Sequence, residues 1–224
     1  LLSLLVAALV WFSIDQDQRA RSASERIAAS AVQARLGFLS KTIADYSIWD
    51  DAYRHVVEEN DRAWMDGNIG PFVFNSLHFE RSYVTDDSGL TLYAMTGGKI
   101  LDSKAPGGTM PPEIARLAKR LGPEASSPSA SLLLLDGRPV MVALCRIAPS
   151  SEGRTADPAR LRTLIFVDEI DRQVLGEMEQ IYLLSGLRAG PPDAEAVARV
   201  ALKDIGLDSL MAVELQRRLA RGLG

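Results

Sequence analysis

Two apolar runs separated by Asp136-Gly137 constrain this chain more than any other feature. An Asp-Gly pair between such runs favours a tight primed turn, whose central residues both take positive φ. Ser131–Leu135 and Arg138–Ile147 are therefore read as the arms of a β-hairpin. Val140, Met141, Val142, Ala143 and Leu144 are apolar without alternation, so the second arm is expected to be central and covered on both faces. A strand of that kind needs a layer above it and a layer below it.

The rest of the chain supplies partners. Ser82–Thr85 and Leu90–Met95 flank Asp86-Asp87-Ser88-Gly89, a second hairpin signature, and Leu161–Val167 reads as a last strand. Pro111–Leu121 reads as a helix with Pro at its start and Gly122 past its end. A short helix or turn covers Arg62–Met65, loops follow at Asp66-Gly67-Asn68, Gly70-Pro71 and Gly97-Gly98, and a last helix spans Asp168–Leu184. From Ser24 to Glu59 the apolar positions Leu36, Leu39, Ile43, Tyr46, Tyr53 and Val56 recur at helical steps, with Gly37 as a candidate bend. The expected fold is α+β, a long N-terminal helix beside five antiparallel strands. Ala28, Ala31 and Ala34 form a small-residue stripe suited to pairing of that helix in a homodimer.

Composition narrows the function. At 47% apolar and 24% charged residues the chain has the material for a real core. A net charge of -4 and the lack of any Lys/Arg cluster interleaved with aromatics argue against nucleic acid. One cysteine, Cys145, excludes an internal disulfide and multi-cysteine zinc sites; inside an apolar strand it is expected to pack as a small hydrophobe. His55 and His78 lack ligand spacing and are expected at the surface or in packing, so no metal is expected.

Leu1–Ile14 is almost wholly apolar but short of the roughly 20 residues that cross a bilayer. With no initiator Met, it is read as a truncated transmembrane helix, with Trp11 and Phe12 at the interface. The alternatives are a signal-peptide core, which lacks a small-x-small cleavage site here, and a buried core helix.

The densest functional signal in the main body is Asp45-Tyr46-Ser47-Ile48-Trp49-Asp50-Asp51-Ala52-Tyr53. On a continuous helix Asp45, Trp49 and Tyr53 share one face, while Asp50 and Asp51 point elsewhere. No nucleophile or metal partner accompanies the two carboxylates, which leaves two readings. The aromatics pack helix against sheet while the acids bind loop amides, or the group contacts a ligand.

Asp45, Trp49-Asp50-Asp51, Tyr53 and Asn68 resemble the signature of the CHASE4 family of extracytoplasmic sensor domains. Val84–Gly89, Gly137-Arg138-Pro139 and Leu161–Asp168 resemble that family's hairpin and closing strands, so the likeness covers about residues 20–184. It implies a Cache/PAS-like, non-catalytic domain at the bacterial inner membrane, periplasmic, without a cofactor, that binds a small ligand between sheet and long helix. On it, Asp45, Trp49, Asp50, Asp51, Tyr53 and Asn68 become the candidate pocket or motif residues.

The tail changes character. Gly190-Pro191-Pro192 breaks the chain, and residues 185–192 read as a linker or join. Asp208 can cap a helix starting at Ser209, whose first turn favours an anion. Gly206-Leu-Asp-Ser-Leu-Met-Ala-Val-Glu-Leu215 resembles the carrier domains of type I polyketide synthases over residues 193–224. That likeness implies 4'-phosphopantetheine on Ser209, flanked by Asp208 and Leu210, and offers an alternative function as an acyl carrier segment.

Overall fold

The computed structural model describes residues 2–102, 109–121, 127–184 and 187, with side chains from residue 23 onward. The linker beyond residue 187 and the carrier-like string around Ser209 lie outside the described residues. A helix, α1, runs from Leu2 to Ser47. After it come α2 (Asp50–Ala52), which runs straight into a π-helical stretch over Tyr53–Glu58, then α3 (Arg62–Asn68) and α4 (Pro71–Leu77). Strands β1 (Arg81–Asp86), β2 (Thr91–Thr96) and β3 (Lys99–Leu101) precede α5 (Pro112–Ala118). Strands β4 (Ser129–Leu135), β5 (Arg138–Arg146) and β6 (Arg162–Glu169) lead to α6 (Arg172–Tyr182).

The six strands form one antiparallel sheet in the order β3-β2-β1-β6-β5-β4. The expected count was five. The addition is β3, which Gly97 and Gly98, at φ 57° and 75°, fold back onto β2. Those two glycines make the turn of a further hairpin instead of ending the strand region. The founding hairpin stands as read: β4 pairs β5 from Leu135↔Arg138 to Ser129↔Leu144, and Asp136 and Gly137 both have positive φ. β5 lies between β4 and β6, and every residue from Val140 to Arg146 is buried.

Two hydrophobic layers explain that burial, and period two sorts the side chains between them. Val84, Met95, Met141, Ala143, Cys145, Leu164 and Phe166 join Leu36, Leu39 and Ile43 of α1 in one layer, with Val174 and Met178 of α6 at its side. Tyr83, Ala94, Val142, Leu144, Ile165 and Val167 join Met110 and Ile114, beside α5, in the other. Ala31 is buried in this chain's own core, which removes it from the exposed stripe expected for pairing, whereas Ala34 remains exposed.

The long helix passes through Gly37 without interruption but does not reach Glu59. It ends at Ser47 because a strand-like partner takes over. Ile48 forms a parallel bridge with Ala148, the Trp49 amide donates to the Ala148 carbonyl (3.1 Å), and the Ala148 amide donates to Ser47 (3.0 Å). Trp49 is extended, at φ -156° and ψ 131°. Asp45, Trp49 and Tyr53 therefore do not share a helix face.

Further boundaries moved. Asp66-Gly67-Asn68 closes α3 and Gly70-Pro71 opens α4, where loops were expected. A side chain at Gly70 would overlap the Tyr93 hydroxyl, so glycine there permits close approach of helix to sheet. Asp168 belongs to β6, and α6 starts after Asp171, whose carboxylate caps the Val174 amide. Among the described residues no helix is long and apolar enough to cross a membrane; the side chains of Leu1–Ile14 are outside them.

Candidate functional site

Two of the motif residues, Asp50 and Tyr53, hold a loop just beyond the end of α1. Asp50 Oδ1 accepts the amides of Ser150 (3.1 Å) and Ser151 (3.3 Å), and Oδ2 accepts the hydroxyls of Ser150 (3.3 Å) and Ser151. The Ser151 hydroxyl, with these amides behind it, holds the Asp50 carboxyl below its usual range. The same β5–β6 loop reaches back through Arg154, which donates to Glu58 (2.7 Å) and lies 5.4 Å over the Tyr53 ring. Tyr53, buried, accepts the Asp157 amide at its hydroxyl (2.9 Å).

Trp49 and Asn68 face a second small cluster around Trp64. Trp49 is 38% exposed and meets Trp64 with ring centroids 5.6 Å apart. His55 stacks on the same indole at 5.1 Å, and the Asn68 amide donates to the Trp64 carbonyl (2.8 Å). Asp51 pairs with its helix neighbour Arg54 (2.9 Å), and Asp45 is exposed on the last turns of α1. In this geometry the Trp49 and His55 rings rest on Trp64 of α3, and one acid, Asp50, holds loop amides. None of the six residues lines the two cavities described next.

His55 Nδ1 lies 3.0 Å from Glu59 Oε2 and 3.2 Å from Asp61 Oδ2, a grouping the sequence spacing had hidden. Its Nε2 receives a hydrogen bond from Arg54 (3.1 Å), and Asp61 also caps the Trp64 amide (3.1 Å). Hydrogen bonds account for this cluster, and a guanidinium beside the imidazole opposes a cation there. His78 is exposed at the left-handed end of α4.

One cavity, of about 160 Å³, lies on the long-helix side, between Arg35, Phe38, His78, Glu80, Asp171 and Glu177. Arg35 bridges Asp168 (2.8 Å) and Glu177 (3.1 Å) beside it. Asp168 is fully buried, and burial raises its pKa despite the opposing pull of Arg35. Burial also pushes Glu80 up to about 7, against the hydrogen bond its carboxylate accepts from the Glu169 amide (2.7 Å).

The other cavity, of about 270 Å³, is on the opposite face, under α5. Its wall includes Thr85 of β1, Thr163 of β6 and Arg146 of β5. Thr85 pairs with Thr163 and Thr163 with Arg146, so the three form one row across the central strands. Met110, Ala115, Ala118 and Leu121 contribute an apolar side, and Asp87 and Lys119 complete the rim. Residue-by-residue reading missed this row. The one local hint was that each of the three lies two positions from an apolar residue of the same face, Tyr83, Leu144 or Ile165.

Cys145, next to Arg146, faces the α1 layer; burial pushes its thiol up to about 11, in keeping with the packing role expected for it.

A search of curated proteins finds no match to this chain. Residues 31–188 match the CHASE4 domain, which covers more than half of the sequence, and the chain belongs to that family. CHASE4 is a family of extracytoplasmic sensor domains.

Proposed function

We propose that this CHASE4 domain is a membrane-anchored, non-catalytic module that binds a small ligand outside the cytoplasm and passes the event along α1. The observation that supports this reading is the continuity of α1. Its 46 residues correspond to a rod of about 70 Å at 1.5 Å per residue. The part from Ala31 to Ile43 is locked into the sheet layer, so a change in the sheet must move the rod. Leu1–Ile14, at its far end, supplies the apolar material for an anchor. A ligand that prefers one packing of sheet against helix shifts that equilibrium, and a stiff helix carries the shift to an output or to a second copy.

Cell fractionation tests the placement. The full chain, given an initiator Met and expressed in bacterial cells, should sediment with the membranes. Protease added to spheroplasts should remove the domain beyond α1. A chain recovered from the cytosol, and cut only after lysis, would overturn the proposal.

A further inference from the structure

The cavity under α5 has the chemistry of a carboxylate site. On that face β5 presents Val140, Val142 and Leu144, β6 presents Val167 and Ile165, and β1 presents Tyr83. One step further along each strand the face turns polar, at Arg146, Thr163 and Thr85. A polar row in a buried layer is costly unless its groups are satisfied.

Arg146 is 8% exposed. Its Nη1 donates to the Thr163 hydroxyl (3.0 Å) and its Nη2 to Asp87 Oδ1 (2.8 Å), with a longer contact to the Leu121 carbonyl (3.5 Å). Its Nε–H is buried without a partner among the described residues. Among the described residues the one carboxylate on this guanidinium comes from the β1–β2 turn, and the Asp87 side chain is 63% exposed. An ion pair with so exposed a partner contributes little and is easily exchanged.

We propose that Arg146 is the anchor of a binding site for a small organic carboxylate, and that Asp87 stands in for the ligand when the site is closed. The planar guanidinium fork suits a carboxylate, and Lys119 on the rim adds a second positive charge. Met110, Ala115 and Leu121 receive a short apolar body, and the volume suits a small molecule. Release of Asp87 frees the β1–β2 turn, so occupancy is felt in β1. The inference rests on the sensor reading, since it names the ligand class for the event that α1 reports.

The test uses the full chain in detergent, with propionate, succinate and phenylacetate as probes and their amides as neutral controls, read by calorimetry and by Tm. At least one carboxylate should bind while its amide does not. Asp87→Ala removes the stand-in and should tighten binding roughly twofold to fivefold, the scale of a partly exposed ion pair. Arg146→Lys keeps the charge but loses the fork, and should weaken binding by about tenfold or more. Carboxylates that bind all three proteins equally, or that bind neither the wild type nor Asp87→Ala, overturn the site. A panel in which only the neutral amides bind leaves the sensor reading standing and removes this one. Carboxylate binding that depends on Arg146 in a chain found in the cytosol does the reverse.

Discussion

The two faces of the sheet are built differently, although they share every strand. Against the α1 face lies a long helix whose Leu36, Leu39 and Ile43 are buried among Met141, Leu164 and Phe166, with α6 alongside. Arg35 ties α1 to the buried Asp168 of β6 and to Glu177 of α6. Breaking such a pair from one side strands a charge in the interior, so the two helices and the sheet are fixed to one another. Against the other face lies α5, of seven residues, with Ile114 as its fully buried anchor and a cavity at its edge. Among the described residues one face is clamped and the other thinly covered. Because neighbours along a strand point to opposite faces, Cys145 and Arg146 belong to different layers while sharing a peptide bond.

Equivalent truncations on the two covers give the strongest test of that contrast. Leu39 and Ile114 are both fully buried on a helix over the sheet. Leu39→Ala should cost about 3–5 kcal/mol, because the rigid surroundings cannot collapse into the space. Ile114→Ala should cost about 2 kcal/mol, near the lower end of the same range, because a short helix beside an existing cavity can shift. Urea unfolding of both variants measures the difference. Equal losses would mean that α5 is as firmly held as α1, and the contrast between the faces would fail.

A smaller effect follows from the acids of the clamped face. Glu80 titrates at about 7 in the fold against 4.5 as a free side chain, because it is half-buried. The folded protein keeps a proton that the unfolded chain releases, so stability falls as pH rises from about 4.5 to about 7 and is flat beyond. Glu80→Gln removes that loss and can still accept the Glu169 amide. It should stabilise the protein by about 1–2 kcal/mol at a pH of about 8, reduced from the full shift by partial exposure, and by nearly nothing at a pH of about 4.5. Part of the slope should survive in the variant, since burial raises Asp168 in the same direction. A pH profile unchanged by the substitution would remove Glu80 from the buried network.

Local chemistry made the sheet readable. Asp136-Gly137 could take positive φ at both positions, and the unbroken apolar run of β5 could only be central. The break after Ser47 was not readable, because helical spacing continues through Trp49 and Tyr53 and the competing partner, Ala148, is a hundred residues away. β3 was lost for the opposite reason, since its three residues are too few to show a period. The same limit applies to function. Asp50 and Tyr53 stood out by density in sequence, and their partners Ser150, Ser151 and Asp157 became visible only when the β5–β6 loop folded over them. Thr85, Arg146 and Thr163 are far apart in the chain and are brought together by register alone.

The smallest expected effect concerns that loop, which belongs to neither face and tests whether Asp50 is a latch. Its carboxylate holds two amides and two hydroxyls of Ser150 and Ser151, and Arg154 lies a few residues on, exposed, with Glu58, the Tyr53 ring and, at 3.8 Å, Asp50 itself as partners. Asp50→Ala removes an acceptor from groups that water can reach, so global stability should barely change. The loop, however, loses the contacts that hold it to α2. Trypsin should then cut after Arg154 several-fold faster in Asp50→Ala than in the wild type, with the Tm nearly constant. The bonds to Asp50 weaken as its depressed carboxyl takes up a proton, so lowering the pH through that range should loosen the wild-type loop in the same way. There trypsin is inactive, and amide exchange at Ser150 and Ser151 is the readout. If cleavage after Arg154 and exchange at Ser151 are the same with and without the carboxylate, Asp50 does not hold the loop, and the ligand-contact reading of the motif gains the ground that the latch gives up.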